Sequence, residues 1–465
     1  MHAAQRSASS ELAGFISGAS AQIDPTARQL AKLHILDTLG CQVGFASLPW
    51  SRVVFDYATE QASAGPATIS YYGAQATDVM AAFANASFAH GFEMDDTHMG
   101  TASHPGVVVV PAALAVGQGV HASGADFLTA VTVGYEVMVR VGLASVGMIQ
   151  RGFHTTSVTG PFGSAAAAAV LWSMDADRIA HGLGVAASKA SGITEYSASG
   201  GSVKRVHAGL AAQSGIESMR MARAGVTAPT LALEGKRGLL RAVSDVVDAD
   251  AMTRGLGEVY EMCTTGLKPY CCCAGQHTVI DAMTALQRAH PDLGAETIRR
   301  IRVRQNPREA DVVGRVKEPT DITGSQFSAA FGIALRLVKG GNGFTDYLGA
   351  RLDDEELLAI ARLVDYESTA GQTPLVGDGP CEVRVEMQDG RVLEADVAYA
   401  AGTSRKPMSE AEVVAKFHDV ADGPLGQEGA ARVVETVMGL EGLADVNTLA
   451  RMLVARPGAK PPLVG

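Results

Sequence analysis

The amino-acid sequence predicts a mostly α protein. A large all-helical domain is formed by both chain ends (residues 1–268 and 405–465), with a smaller α+β domain (residues 269–404) inserted between them. Three observations carry this prediction. Apolar residues recur at helical spacing through the first 270 residues, the pattern changes to alternation after Pro269, and helical spacing returns near the C-terminus.

In chain order, residues 30–39 place Leu30, Leu33, Ile35, Leu36 and Leu39 on one helical face. Residues 81–92, 112–118, 127–141, 164–172 and 208–224 have the same spacing. They are rich in Ala and Gly, which lets helices approach closely. Gly124, Gly160-Pro161 and Pro229 are expected to interrupt them. Beyond Pro269, residues 301–305 alternate apolar and charged, as a half-buried strand does. Residues 382–387 and 391–399 alternate again around Gln388-Asp389-Gly390, and Asp-Gly between alternating runs predicts a hairpin. Helices are expected between these strands at 277–289, 325–338 and 354–362. The last helical stretch, 409–449, opens on Ser409-Glu410-Ala411-Glu412, a capped start.

With 38 Lys+Arg against 49 Asp+Glu, the net charge is −11, so a basic footprint for nucleic acid is absent. The longest apolar runs, 107–116 and 165–172, fall short of the ~20 residues that cross a bilayer. The N-terminus lacks an apolar core of signal-peptide length, so a cytoplasmic location is expected. Six Cys, three of them adjacent, do not form a disulfide framework.

Chemistry concentrates in four segments. The first runs from His90-Gly91-Phe92-Glu93-Met94-Asp95-Asp96-Thr97-His98 to Ser103-His104-Pro105-Gly106, with three carboxylates and three histidines. A carboxylate beside a histidine fixes its tautomer and raises its basicity, as acid–base catalysis requires. A metal site is the rival, although the HExxH spacing is missing and the Asp95 and Asp96 side chains diverge on any regular backbone. The plainer alternative is a helix end with a solvated acidic loop.

The second segment, Arg151-Gly152-Phe153-His154-Thr155-Thr156-Ser157, precedes Gly160, Gly163 and a polyalanine helix. There, His154 is an acid–base candidate or a surface histidine, the two glycines allow a close approach, and Ser164 is a possible cap. The third, Ser197–Gly209 in sequence, is a small-residue loop bearing Lys204 and Arg205, able to hold a carboxylate with the free N–H groups of a helix start. It has no GxxxxGK[ST] phosphate loop. Gly182-Leu183-Gly184 lacks the preceding strand that a dinucleotide fingerprint needs. The fourth, Lys268-Pro269-Tyr270-Cys271-Cys272-Cys273, leads to His277. Adjacent cysteines do not reproduce a zinc site, and buried inert thiols compete with a catalytic one. Several histidines, lysines and carboxylates without a cofactor loop suit cofactor-free proton chemistry on an anionic substrate.

HGFEMDDTH (90–98), HPG (104–106) and VVPAALAVGQ (109–118) resemble the MmgE/PrpD family. The likeness continues through GFHTTSVTGPFGSAAAAAVL (152–171), KRVHAG (204–209) and KPYCCCAGQHTVIDA (268–282). It ends with TGSQFSAAFGIALRLVKG (323–340) and GTSRKPMSEAEVVAKF (402–417). That family includes 2-methylcitrate dehydratase, cis-aconitate decarboxylase and iminodisuccinate epimerase. The resemblance implies that the α+β domain is a lid and that the chain is a homodimer; the lack of a cofactor loop and of zinc spacing in the sequence predicts that no cofactor or metal is used.

It also implies a pocket in which Thr97, His104, His154, Lys204 and His277 match the family pattern, while the pocket acid, usually Asp, is Glu93. Lys204 would bind a substrate carboxylate, and His104 and His154 would move the proton. Glu93 would orient a histidine, and Thr97 and His277 would position the far carboxylate. Asp95 and Lys268 complete the expected substrate-binding set. The expected activity is a lyase acting on a small di- or tricarboxylate, with dehydration slightly ahead of decarboxylation. An epimerase and a non-catalytic carboxylate-binding homologue are the alternatives.

Overall fold

The computed structural model describes residues 7–19, 23–61, 63–196, 200–369 and 379–461. The chain divides into two compact units, one of Met1–Gly91, Asp95–Thr265 and Glu410–Pro461, the other of Phe92–Met94 and Gly266–Ser409.

The first unit begins with α1 (Ala8–Gly18), α2 (Pro25–Phe45), α3 (Pro49–Gln61) and α4 (Asp78–Ala89). It continues with α5 (Gly106–Val120), α6 (Gly124–Leu143), α7 (Thr155–Leu171), α8 (Ala176–Lys189) and α9 (Val203–Arg223). Their starts follow capping chemistry. Asp24 accepts from the Thr26 and Ala27 amides with Pro25 in the first turn, and Ser123 accepts from Asp126.

Helix α7 is the core element, packed against α5, α6 and α9. A Cβ at Gly160 would lie 2.7 Å from the Ala211 Cβ, and one at Gly163 would lie 2.8 Å from the Met138 Cβ. Both glycines therefore serve helix–helix approach. Pro111 and Pro161, the latter expected to interrupt a helix, lie inside α5 and α7. Proline removes one intrahelical hydrogen bond, but both helices are buried along almost their whole length, and tertiary packing sustains them. Ser164 sits mid-helix, so it is not the expected cap. Its hydroxyl donates to the Ala211 carbonyl of α9 at 3.0 Å.

In the second unit, β3 (Ile298–Gln305), β4 (Val364–Ser368), β5 (Cys381–Met387) and β6 (Val392–Val397) form one sheet in the order β4-β3-β5-β6; a separate short hairpin of β1 (Ala67–Ile69) and β2 (Ala74–Ala76) belongs to the first unit. Strand β4 pairs parallel to β3, and the other pairs are antiparallel. Cys381, Val383, Val385 and Met387 alternate inward along β5, and Gly390 turns the predicted hairpin at φ +90°.

Helices α10 (His277–Ala289), α11 (Ala329–Lys339) and α12 (Glu355–Arg362) complete the core of this unit. The helix expected over 325–338 starts later, because Ser328 caps α11 by accepting from the Phe331 amide at 3.0 Å. The C-terminal segment returns to the first unit as α13 (Glu410–Leu425) and α14 (Gln427–Met438).

Phe92 belongs to the second unit with Glu93 and Met94, whereas the sequence predicts it as the last residue of a helix over 81–92. The Phe92 carbonyl accepts from Cys271 Sγ at 3.1 Å and from Gln326 Nε2 at 3.3 Å, and its ring meets Phe344 edge-on. These contacts draw the chain out of α4, which stops at Ala89.

Candidate active site

The segment between α4 and α5 is organised by Asp96. Its carboxylate accepts from Tyr135 Oη at 2.7 Å and from the Gly106 amide at 3.0 Å. The second contact places a negative charge at the positive N-terminus of α5. Burial and the Asp96 carboxylate push the Tyr135 phenol well above its ordinary value, so Tyr135 remains the donor.

This clamp aims the Asp96 backbone carbonyl at His104, whose Nδ1 lies 2.6 Å away. The same Nδ1 is 3.1 Å from Asp95 Oδ2 and 3.3 Å from Thr97 Oγ1. A ring nitrogen facing a carbonyl and a carboxylate carries the proton. Nε2 is therefore the His104 nitrogen available to gain or lose one. The His104 amide donates to Thr156 Oγ1 at 3.1 Å, fastening the loop to α7.

Asp95 Oδ2 also meets His90 Nδ1 at 2.8 Å, so one carboxylate orients two imidazoles. Among the described residues, the buried Nε2 of His90 has no hydrogen-bond partner. The His90 ring lies 5.0 Å from that of His104 and is stacked 5.9 Å from that of His154. His154 precedes the first residue of α7, with its amide held by the Gly192 carbonyl at 3.0 Å. Its Nδ1 is 2.9 Å from Nδ1 of His207.

Lys204, expected in a loop, is in the first turn of α9 and is 9% exposed. Residues 197–199 of the expected loop lie outside the described residues. His207 follows Lys204 by three residues and so shares its helix face.

Burial pulls His90 down to about 4, with the Asp95 carboxylate opposing this and Lys204 adding to it. Burial, then His90 and Lys204, lower His207 to about 4. His154 falls well below its ordinary value through burial and the neighbouring His90, His207 and His104. These three imidazoles are therefore neutral near pH 7. His98 has both nitrogens occupied, by Thr101 and Thr264 at 2.9 Å each, and reads as structural.

Asp95 and Asp96 point to different partners. Among the described residues, no group of three or more His, Cys, Asp or Glu side chains is arranged to hold a metal ion.

The remaining expected residues belong to the second unit. Glu93, with φ +46°, is ion-paired to Lys268 at 3.4 Å, both side chains being buried. His277 opens α10, and its Nε2 donates to the Cys272 carbonyl at 3.2 Å. The Tyr270 ring stands edge-on to His277, and Tyr270 Oη donates to Asp281 Oδ1.

Cys271, Cys272 and Cys273 are buried, and burial pushes the Cys272 thiol far above its ordinary value, away from thiolate reactivity. Replacing all three by Ala or Ser is expected to lower the melting temperature more than kcat. A kcat loss of several orders of magnitude with an unchanged fold would show thiolate catalysis instead.

His90, His207 and Tyr135 escaped the sequence reading as site residues. The first two carried usable signals, since His90 opens the acidic cluster and His207 lies one turn beyond Lys204. Tyr135 carried none, because its link to Asp96 is purely tertiary.

Residues 10–251 match the MmgE/PrpD N-terminal domain and residues 270–441 the MmgE/PrpD C-terminal domain, and the chain belongs to this family. It is 27% identical to a cis-aconitate decarboxylase of Aspergillus terreus over 91% of each chain. It is 29% identical to the cis-aconitate decarboxylase-like protein oryM of Aspergillus oryzae, covering 91% of this chain and 92% of that one. Identity to human cis-aconitate decarboxylase is 26%, over 94% of this chain and 91% of the relative. Among the described residues, no helix is long and apolar enough to cross a membrane.

Proposed function

We propose that the protein is a cofactor-independent lyase that moves a proton beside a carboxylate of a small di- or tricarboxylate. The observation that carries this reading is the Asp95–His104 pair, in which Asp95, the Asp96 carbonyl and Thr97 all face Nδ1 and leave Nε2 for proton exchange. Lys204 supplies a buried cation in the same unit for an anionic substrate.

The sequence alone places dehydration slightly ahead of decarboxylation. The similarity to cis-aconitate decarboxylases moves the preference to decarboxylation. In that reaction the bond from carbon to a carboxyl group breaks and CO₂ leaves. The electron pair enters the adjoining unsaturated acid, and His104 passes a proton taken up from solvent at Nε2 to the carbon. Thr97 positions the substrate.

Incubation with cis-aconitate, 2-methylcitrate and citrate without added metal, followed by mass spectrometry, tests this. Loss of CO₂ is expected. Loss of water would make the protein a hydro-lyase, and deuterium wash-in without loss of either would make it an epimerase. No turnover of any small carboxylate would remove the reading. Lys204→Ala is expected to raise KM about 10- to 100-fold with a smaller change in kcat, the weight of one charged hydrogen bond. An unchanged KM with abolished kcat would make Lys204 the proton-transfer residue.

A further inference from the structure

The geometry points to His207 as the positioning residue that fixes the tautomer of His154, by donating its Nδ1–H to the Nδ1 lone pair of His154. This rests on the proposed function for the direction of donation, while the pairing itself is a structural observation. The two Nδ1 atoms are 2.9 Å apart and both side chains are buried. A hydrogen bond between two such nitrogens holds a single proton, so one ring donates and the other accepts. His154 therefore cannot choose its tautomer independently of His207.

The neighbouring groups select the direction. His104 presents Nε2 as the proton-exchanging nitrogen, because its Nδ1 faces the Asp96 carbonyl and the Asp95 carboxylate. If His207 accepted the proton, His154 would present an Nε2 lone pair to the substrate carboxylate, and the two would repel. With His207 as donor, His154 carries Nε2–H and complements the anion.

The pair is held in place from several sides. The His154 amide is bonded to the Gly192 carbonyl, and His207 is fixed in α9. The Tyr196 ring stands edge-on to both, 5.6 Å from His154 and 5.8 Å from His207. His90 stacks on His154 and keeps its Nδ1 on Asp95. Among the described residues, no carboxylate is hydrogen-bonded to either ring of the pair.

Asn and Asp at position 207 distinguish this role from a merely structural one, since they match each other in shape and place an atom where Nδ1 stands. Asn can donate there, whereas an ionised Asp only accepts. In protein labelled with ¹⁵N-histidine and free of substrate, His154 is expected to show a protonated Nε2 and an unprotonated Nδ1. His207→Asn should keep that pattern and hold kcat within about tenfold. His207→Asp should protonate His154 Nδ1 and lower kcat by a further factor of about ten or more. The other histidine signals should stay in place in both variants, which reports an intact fold.

A wild-type His154 protonated at Nδ1 and not at Nε2 would overturn the inference. So would Asn and Asp variants with the same His154 tautomer. Because the tautomer is read without substrate, failure to turn over any carboxylate would remove the proposed function while leaving this test standing.

Discussion

His104→Ala is expected to lower kcat by about 10²–10⁴-fold, the usual contribution of a general acid–base group. KM should change far less. The expectation rests on the surroundings of Nδ1, where the Asp96 carbonyl, Asp95 and Thr97 all accept, making Nε2 the working nitrogen. Steady-state kinetics on the substrate found by mass spectrometry, with solvent deuterium incorporated at the product carbon, reads the effect. His154→Ala should also reduce kcat, by removing a neutral donor. A fully active His104→Ala, His154→Ala double variant would abolish the mechanism.

The helical class and the inserted strands were legible because periodicity survives in a single sequence. Residues 127–141 and 277–289 lie within or match observed helices, and the Asp389-Gly390 turn joins β5 to β6. What failed were the places where tertiary contacts override local preference. Pro161 reads locally as a breaker, but α7 continues through it inside a packed helical layer. Phe92 reads as the end of a helix, yet Cys271 and Gln326 hold it in another unit. Strand β4 is short and follows α12 directly, so its alternation at Val364 and Tyr366 is masked by the helical pattern before it.

The candidate site was legible as residue types and not as pairs. The acidic cluster pointed to Asp95 and His104, which meet at 3.1 Å. Glu93 was expected to orient a histidine, and its carboxylate is found against Lys268. Lys204 reads in the sequence as a loop cation because glycine and serine precede it, although α9 begins at Val203. His207 was invisible as a partner of His154, since 53 positions separate them and only the packing of α9 on α7 joins them.

Arg140→Met is expected to destabilise the first unit by about 3–5 kcal/mol, as breaking a buried ion pair does. Arg140 is 1% exposed and follows Glu136 by one turn of α6, with Nε donating to its Oε1. Its guanidinium also donates to the Arg254 carbonyl at 2.7 Å and the Val259 carbonyl at 2.9 Å, while Glu136 Oε2 accepts from the Glu261 amide at 2.7 Å. Methionine would leave those carbonyls unpaired and Glu136 without its counter-charge.

The loss should also depend on pH. Burial, opposed by Arg140, already raises Glu136 to about 7. A carboxyl with a raised folded value stabilises fully below its unfolded value, and that contribution disappears as pH rises through the folded value. Without Arg140 the folded value climbs further, so the variant keeps losing stability above pH 7, where the wild type has levelled off. The difference between them should therefore widen from pH 7 to pH 9, by up to about 1.4 kcal/mol per pH unit. Urea unfolding of both proteins across that range measures it. Adding Glu136→Met should remove the extra slope, because no buried carboxyl then remains to ionise. A slope that persists in the double variant would place its origin elsewhere and dismiss Arg140 as the counter-charge of Glu136.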